Sequence, residues 1–178
     1  MKLFTIMWAN YIPTLKSACV ENGVELTAYS SKQINQHPEV VDAIREDIKG
    51  ADLILLYRTS DPFWDELEPD IRAAGANCPV VVVGSDPSLW GLSTVSMEIV
   101  ATVYRYILFN GAENMENLLR YLRTSLMGEP LTFAEPQPVA WEGIYHPLMD
   151  GIFSSRDDYL DAYRAAVGEP KEGWVGLL

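Results

Sequence analysis

The sequence predicts an α/β domain, a short parallel sheet covered by helices on both faces. Two observations carry that prediction. The runs KLFTIMW (2–8), ADLILLY (51–57) and PVVVV (79–83) are apolar almost without a break. Strands buried on both faces read this way, whereas a half-exposed strand alternates. Between these runs lie stretches of helical spacing, with proline near the start of two of them and glycine at the end of others, the usual asymmetry of helix termini.

Lys2–Trp8 is the first strand, and Asn10-Tyr11-Ile12-Pro13 a loop leading into a helix near Thr14–Asn22 that Gly23 ends. Val24–Tyr29 alternates as a second strand. Ser30–Pro38 reads as a polar loop, and Pro38 suits the first turn of a helix running to Lys49 and closed by Gly50. Ala51–Tyr57 is the third strand. Arg58–Asp61 forms the next loop, with Asp61-Pro62 as N-cap and first-turn pair for a helix over Phe63–Ala74. Pro79–Val83 is the fourth strand. After Gly84, Ser85–Leu92 is a loop, followed by a long helix over Ser93–Phe109 capped by Asn110-Gly111. A second spans Ala112–Met127, with Leu118, Leu119, Leu122 and Leu126 at helical spacing. No fifth strand follows, so these two helices are expected to close the edge of a sheet of about four parallel strands. The connections are short enough for right-handed crossovers. This is a small doubly wound layout, a flavodoxin-like (half-Rossmann) three-layer domain.

The chain is expected to divide into this domain, 1–127, and a different segment, 128–178. Gly128–Pro147 contains Pro130, Pro136, Pro138 and Pro147, the mark of an extended linker or a segment strapped across a surface. Ser154–Val167 then reads as a helix, with Asp157 and Asp158 suited to its N-terminal dipole. Gly168–Gly173 is a turn. Trp174-Val175-Gly176-Leu177-Leu178 reads as the opening of a buried strand in which the sequence stops. An unpaired apolar strand leaves backbone groups facing water, so the sequence reads as the front piece of a longer protein.

Composition narrows the partners. Of 178 residues, 13 are Lys or Arg and 25 Asp or Glu, a net charge of −12 and a pI near 4.5. Such a surface repels phosphate backbones and anionic lipids, which makes nucleic acid and acidic membranes poor partners; its simplest role is solubility. Cys19 and Cys78 have no zinc-ligand spacing and read as free thiols in a reducing compartment. No signal peptide and no apolar run of about 18 residues is visible, so no membrane span and a cytoplasmic location are expected.

Ligands of open α/β sheets bind outside the carboxyl ends of the strands. Those loops carry Trp8-Ala9-Asn10-Tyr11, Ser30–Gln33, Tyr57-Arg58-Thr59-Ser60-Asp61 and Gly84-Ser85-Asp86-Pro87-Ser88. Arg58 is the sharpest single residue, a cation at a strand end, either a ligand contact or a structural partner of Asp61 or Asp86. Ser85 and Asp86 can meet a polar ligand or simply cap the next helix. The first strand is not followed by the glycines that a dinucleotide or nucleotide loop needs, so NAD, FMN and ATP binding by this segment are not expected. Neither His37 nor His146 has a second ligand at helical spacing, and no metal site can be written from spacing. His37 decorates a loop. His146 lies between Tyr145 and Pro147, with Trp141 upstream. It is open to two readings: an axial ligand or proton shuttle, or part of a packing strap.

Trp141-Glu142-Gly143-Ile144-Tyr145-His146-Pro147, a helix carrying Tyr159-Leu160 and Tyr163, and Trp174-Val175-Gly176-Leu177-Leu178 together resemble one family. It is the large subunit of cobaltochelatase (CobN type), related to the magnesium chelatase large subunit. In that family a GIYHP box follows a flavodoxin-like leading domain, and a strand of the VGILFYR type opens the main body. Here the box is complete and the last motif begins at Val175. The resemblance implies a protein that binds a tetrapyrrole, such as a corrin precursor, and inserts Co²⁺ with ATP hydrolysed by separate AAA+ partner subunits. It also implies that the chelation centre lies downstream. The 178 residues would then be non-catalytic and bind no cofactor themselves, with Tyr145 and His146 the first tetrapyrrole or interface candidates, and Arg58, Ser85 and Asp86 after them. No catalytic residue carries over, and the metal, cobalt, magnesium or nickel, stays open. The alternative is a flavodoxin-like module for small-ligand binding or protein interaction without a chelatase role. Its receiver version is disfavoured because Trp8–Tyr11 supplies no acid and Tyr57–Ser60 no aspartate.

Overall fold

The structure is a computed structural model that describes residues 1–139, 142–149 and 151–169. It forms two compact units, Met1–Gln137 and Pro138–Leu178.

The first unit has the predicted layout. Strands β1 (Lys2–Met7), β2 (Glu25–Ser30), β3 (Leu53–Tyr57) and β4 (Val80–Val83) form one sheet in the order β2-β1-β3-β4, every pair parallel. The alternation of Cβ directions sorts the apolar runs onto two faces. Leu3, Met7, Leu53, Leu55, Tyr57, Val81 and Val83 pack against helices α1 (Ile12–Glu21), α5 (Met97–Phe109) and α6 (Ala112–Met127). Phe4, Ile6, Ile54, Leu56, Val80 and Val82 pack against α2 (Ser31–Gln36), α3 (Val41–Lys49) and α4 (Phe63–Ala74). Three layers result. The one buried polar side chain of β1, Thr5, donates its hydroxyl to the Leu55 carbonyl at 2.6 Å, the pairing that makes burial tolerable.

Four local expectations are corrected. The polar loop expected over 30–38 contains α2, because the Ser30 hydroxyl accepts the Gln33 N–H and caps it, and Ile34 is buried beneath it. Asp61 does not cap α4. Pro62 occupies that position without a side-chain bond, and the Asp61 carboxylate instead accepts from Thr59 Oγ1 and from Asn35 Nδ2. The loop expected over 85–92 holds a 3-10 turn, Pro87–Leu92. Finally, α5 and α6 lie over a face of the sheet and do not close its edge.

The edge is handled by residues 93 and 94, and this also delays the start of α5. Val82 N–H donates to Ser93 Oγ and Val80 N–H to Thr94 Oγ1, each at 2.9 Å. Thr94 N–H returns a bond to the Val80 carbonyl. Two hydroxyls thus satisfy the outer ladder of β4 that a fifth strand would have paired. The helix begins only afterwards, with Ser96 as its N-cap.

Residues 129–137 belong to the strapped alternative. Asn117 Oδ1 accepts the Ala134 N–H, and Asn114 exchanges two bonds with the backbone of Gln137. The Tyr106 hydroxyl donates to the Ala134 carbonyl. Side chains of α5 and α6 therefore serve as the pairing partners of an extended segment that has no strand beside it.

In the second unit, β5 (Ile144–Tyr145) pairs antiparallel with β6 (Ile152–Phe153), and α7 (Arg156–Val167) follows, capped by Ser155. Gly143 is required at the start of this hairpin. A Cβ there would run into the Ile152 side chain and lie 2.9 Å from the Phe153 carbonyl oxygen. The strand expected at Trp174–Leu178, and Trp141, lie outside the described residues.

Candidate functional site

The order β2-β1-β3-β4 makes the chain leave β1 toward one side and return to β3 on the other. The carboxyl ends of β1 and β3 therefore flank the switch point, where this architecture opens a crevice. Aromatic residues occupy it. Trp8 follows β1, Tyr11 sits three residues on in a turn closed by its N–H on the Trp8 carbonyl (3.1 Å), and Tyr57 ends β3. The Trp8 ring centroid is 5.3 Å from Tyr57 and 6.5 Å from Tyr11, the latter pair within 12° of parallel, and Tyr11 is 5.8 Å from Tyr57. Trp90, pinned by its Nε1–H on the Gly84 carbonyl, adds a contact to Tyr104 of α5 at 5.4 Å.

Electrostatics links the two groups. Burial pushes the Tyr57 and Tyr11 hydroxyls above the usual tyrosine value, and the neighbouring phenol of Tyr104 acts on both in the same direction. Tyr11 and Tyr57 therefore keep their phenolic protons at neutral pH, able to donate and to accept. Among the described residues, none of the three hydroxyls has a hydrogen-bond partner. Trp8 is 45% exposed, a high value for so large an apolar ring.

Arg58 follows Tyr57 in sequence but turns away from this cluster. Its side chain is only 16% exposed and donates to Glu68 at 3.1 Å, with Asp65 at 3.9 Å. Its structural partners are these α4 carboxylates, not Asp61 or Asp86. Hydrogen bonding from Arg72, helped by the Arg58 charge, holds the Glu68 carboxyl below its usual range. Ser85 and Asp86 are exposed in the turn after β4. Asp86 accepts the Ser88 N–H at 2.9 Å and caps the 3-10 turn, which lowers its carboxyl. Gly84 permits the approach of these two loops: a Cβ there would lie 2.6 Å from the Arg58 carbonyl oxygen. The two described pockets lie at the amino ends of the strands, one lined by Arg45, Asp70 and Cys78, the other by Lys2, Glu25 and Asp47, away from the switch point.

Tyr145 and His146 belong to the second unit. Tyr145 is 70% exposed on the hairpin. The His146 ring contacts Tyr163 edge-on at 5.6 Å and Tyr159 at 6.2 Å, both on α7, and its Nδ1 accepts the Leu148 N–H at 3.2 Å. An Nδ1 that accepts carries no proton, so the neutral ring holds it on Nε2. In this geometry His146 offers a donor, and neither nitrogen presents a free lone pair to a metal. His37 pairs with Glu39 at 3.1 Å on the surface, as a loop decoration does. Among the described residues no group of three His, Cys, Asp or Glu side chains is placed to hold a metal ion, and no helix is long and apolar enough to cross a membrane.

The sequence reading named the Trp8–Tyr11 and Tyr57 loops but not Trp90 or Tyr104 as their companions. Tyr104 sits inside a helix, and nothing in its spacing announces that it faces a strand end more than forty residues earlier.

Fold and site together define the class: a flavodoxin-like α/β domain followed by a hairpin–helix unit built on a GIYHP box. Residues 104–178 match the family model described as CobN/Magnesium Chelatase, and in that part the chain is similar to the CobN type. Two uncharacterized proteins of Methanocaldococcus jannaschii are similar to it. MJ1441 is 32% identical over 122 residues, 68% of this chain and 9% of its own length. MJ0908 is 33% identical over 92 residues, 52% of this chain and 7% of its own length. The chain thus spans less than a tenth of the curated relatives it matches. A solved structure, the catalytic subunit of cobaltochelatase from Mycobacterium tuberculosis, superposes with a TM-score of 0.59 at 13% identity, over 82% of this chain and 12% of that one. That likeness is one of fold.

Proposed function

We propose that this chain is the leading region of the large, tetrapyrrole-binding subunit of an ATP-dependent chelatase, one that inserts Co²⁺ into a corrin precursor in the cytoplasm. The single observation behind this reading is the family match over residues 104–178, which includes the whole GIYHP box. The region itself is non-catalytic. It binds neither ATP nor the resident metal, ATP being hydrolysed by AAA+ partner subunits, and it serves as a head that docks partners or helps gate the tetrapyrrole. The chemistry of the residues supports this division. Metal insertion needs a base for the pyrrole protons and ligands for the incoming ion, whereas Arg58, Asp86 and the Nδ1 of His146 are all committed to bonds within the fold.

The experiment is metal insertion followed by the absorption of the corrin. The complete protein carrying these residues is expected to insert Co²⁺ only with ATP and the AAA+ subunits present, and the 178-residue chain alone to insert none. Insertion by the isolated chain, or ATP-independent insertion by the complete protein, overturns the reading. Running Mg²⁺ and Ni²⁺ beside Co²⁺ identifies the metal.

A further inference from the structure

We infer that Asn110-Gly111, the joint between α5 and α6, is a site of spontaneous deamidation, modified by its own backbone through a cyclic imide. The inference stands on the geometry of the first unit and does not depend on the chelatase reading.

The chain holds the Asn-Gly dipeptide twice, at Asn22-Gly23 and at Asn110-Gly111. Each follows a helix, α1 in the first case and α5 in the second, and both asparagines are half-buried. Sequence and exposure therefore treat them alike, but their backbones differ. Asn22 has φ −101° and ψ 6°, values that L-residues adopt readily in turns. Asn110 has φ 51° and ψ −160°. It is the one non-glycine residue with positive φ among the described residues, and its ψ lies outside the left-handed well that asparagine tolerates. The combination borders a region that glycine alone visits, so the joint is strained.

The strain points toward a reaction. On an L-residue, a ψ in this range swings the next nitrogen round toward the Cβ side, where the side-chain carbonyl carbon can meet it. A helical or an extended ψ carries that nitrogen away. At Asn110 the next nitrogen belongs to Gly111, which has no Cβ to obstruct ring closure and whose N–H makes no hydrogen bond among the described residues. Asn110 Oδ1 is buried without a partner among them, so no bond to that oxygen holds the amide against rotation. Asn22 is held at each of these points. Its Nδ2 donates to the Ala18 carbonyl at 2.9 Å, its Oδ1 accepts from Arg120 Nε at 3.4 Å, and the Gly23 N–H donates to the Val20 carbonyl at 3.2 Å.

The step balances with water as the sole co-reactant. The Gly111 nitrogen attacks Asn110 Cγ, a C–N bond forms, the Cγ–Nδ2 bond breaks, and Nδ2 leaves as ammonia with the Gly111 proton. Water then opens the imide at one of its two carbonyls. The product is aspartate or, with the main chain rerouted through the side chain, isoaspartate. Either adds a negative charge beside the N-terminus of α6, where the helix dipole favours it. Isoaspartate also takes the Asn110 carbonyl out of the main chain. That carbonyl accepts from Asn114 Nδ2 at 2.7 Å, and the same Nδ2 donates to the Gln137 carbonyl at 2.8 Å. The modification therefore bears on the hold of the extended segment 129–137.

The test is incubation of the 178-residue chain in mildly alkaline buffer, folded and in urea. Timed digests are read by mass and by chromatographic separation of aspartyl from isoaspartyl peptides. Each site's rate in the folded chain is divided by its own rate in urea, which cancels the effect of neighbouring sequence. The quotient is expected to be roughly tenfold higher at Asn110 than at Asn22. Asn110→Gly, which removes the amide and suits the backbone, is expected to abolish the product there and to leave the urea midpoint unchanged or higher. A quotient at Asn110 no higher than at Asn22 overturns the proposal. A lower midpoint for Asn110→Gly overturns it too, because glycine destabilises a position that is not strained. None of these results depends on whether the complete protein inserts cobalt.

Discussion

Arg58 shows how a residue with a functional look can be structural. Its guanidinium lies against α4, and Arg58→Met is expected to cost about 1 kcal/mol, the scale of a partly exposed ion pair. A urea titration checks it. Gly84 is the less conspicuous and more constrained position. Gly84→Ala forces a methyl to 2.6 Å from the Arg58 carbonyl oxygen, and a loss of about 1–3 kcal/mol is expected from overpacking, readable as a lower urea midpoint. The cysteines are ordered by burial. It pushes the Cys19 thiol up to about 11 and raises Cys78 as well. Since thiolate is the reactive form, a thiol reagent at pH 8 is expected to label half-buried Cys78 slowly and Cys19 only on unfolding. His146 acts through Nε2–H in this geometry, so any tetrapyrrole affinity of the chain that vanishes in His146→Ala but survives in His146→Gln, which keeps a donor, would assign it a hydrogen-bonding role.

Among the elements, the extended run 129–137 depends on two buried asparagines and has no core of its own. Removing Asn114 or Asn117 leaves backbone groups of Gln137 or Ala134 unpaired at a part-buried site, a loss of about 1–3 kcal/mol. Limited proteolysis is the sharper measurement: Asn114→Ala with Asn117→Ala is expected to open cleavage within 129–137 while the sheet stays protected. Neither asparagine was legible as a site from the sequence. Both sit on a helix whose leucine spacing is satisfied without them, and their partners lie some twenty residues away. The four strands and the helices α1, α3, α4, α6 and α7 were legible, because apolar runs and terminal glycines or prolines are local signals. The short helix α2 was not, since SKQINQ carries a single buried apolar residue, Ile34. The start of α5 was missed because Ser93 and Thr94 look like capping residues but spend their hydroxyls on the edge of β4.

At the scale of the molecule, acid is the expected weakness. Hydrogen bonds from Arg72 hold Glu68 below its usual value, and those from Arg123 hold Glu129 there. A carboxyl depressed in the folded state contributes stability that is complete above its unfolded pKa and is lost as the pH falls through the folded one. The urea midpoint is therefore expected to hold from pH 7 to 5 and to drop below about pH 4, the carboxylate range. Glu68→Gln with Glu129→Gln is expected to flatten that drop.

What the sequence determined by itself was the architecture and the resemblance to one family. Continuous apolar strands alternating with capped helices admit little else than a parallel sheet between helical layers, because burial on both faces is what such runs require. The GIYHP box with its following helix is a contiguous pattern, readable without knowing where it sits in space. The tertiary structure alone decided the site. Strand order brought Trp8 beside Tyr57, and the packing of α5 carried Tyr104 to the same end of the sheet, while α4 drew Arg58 away from it. Such meetings depend on crossovers between distant segments, and no local periodicity encodes which side chains a crossover will place together.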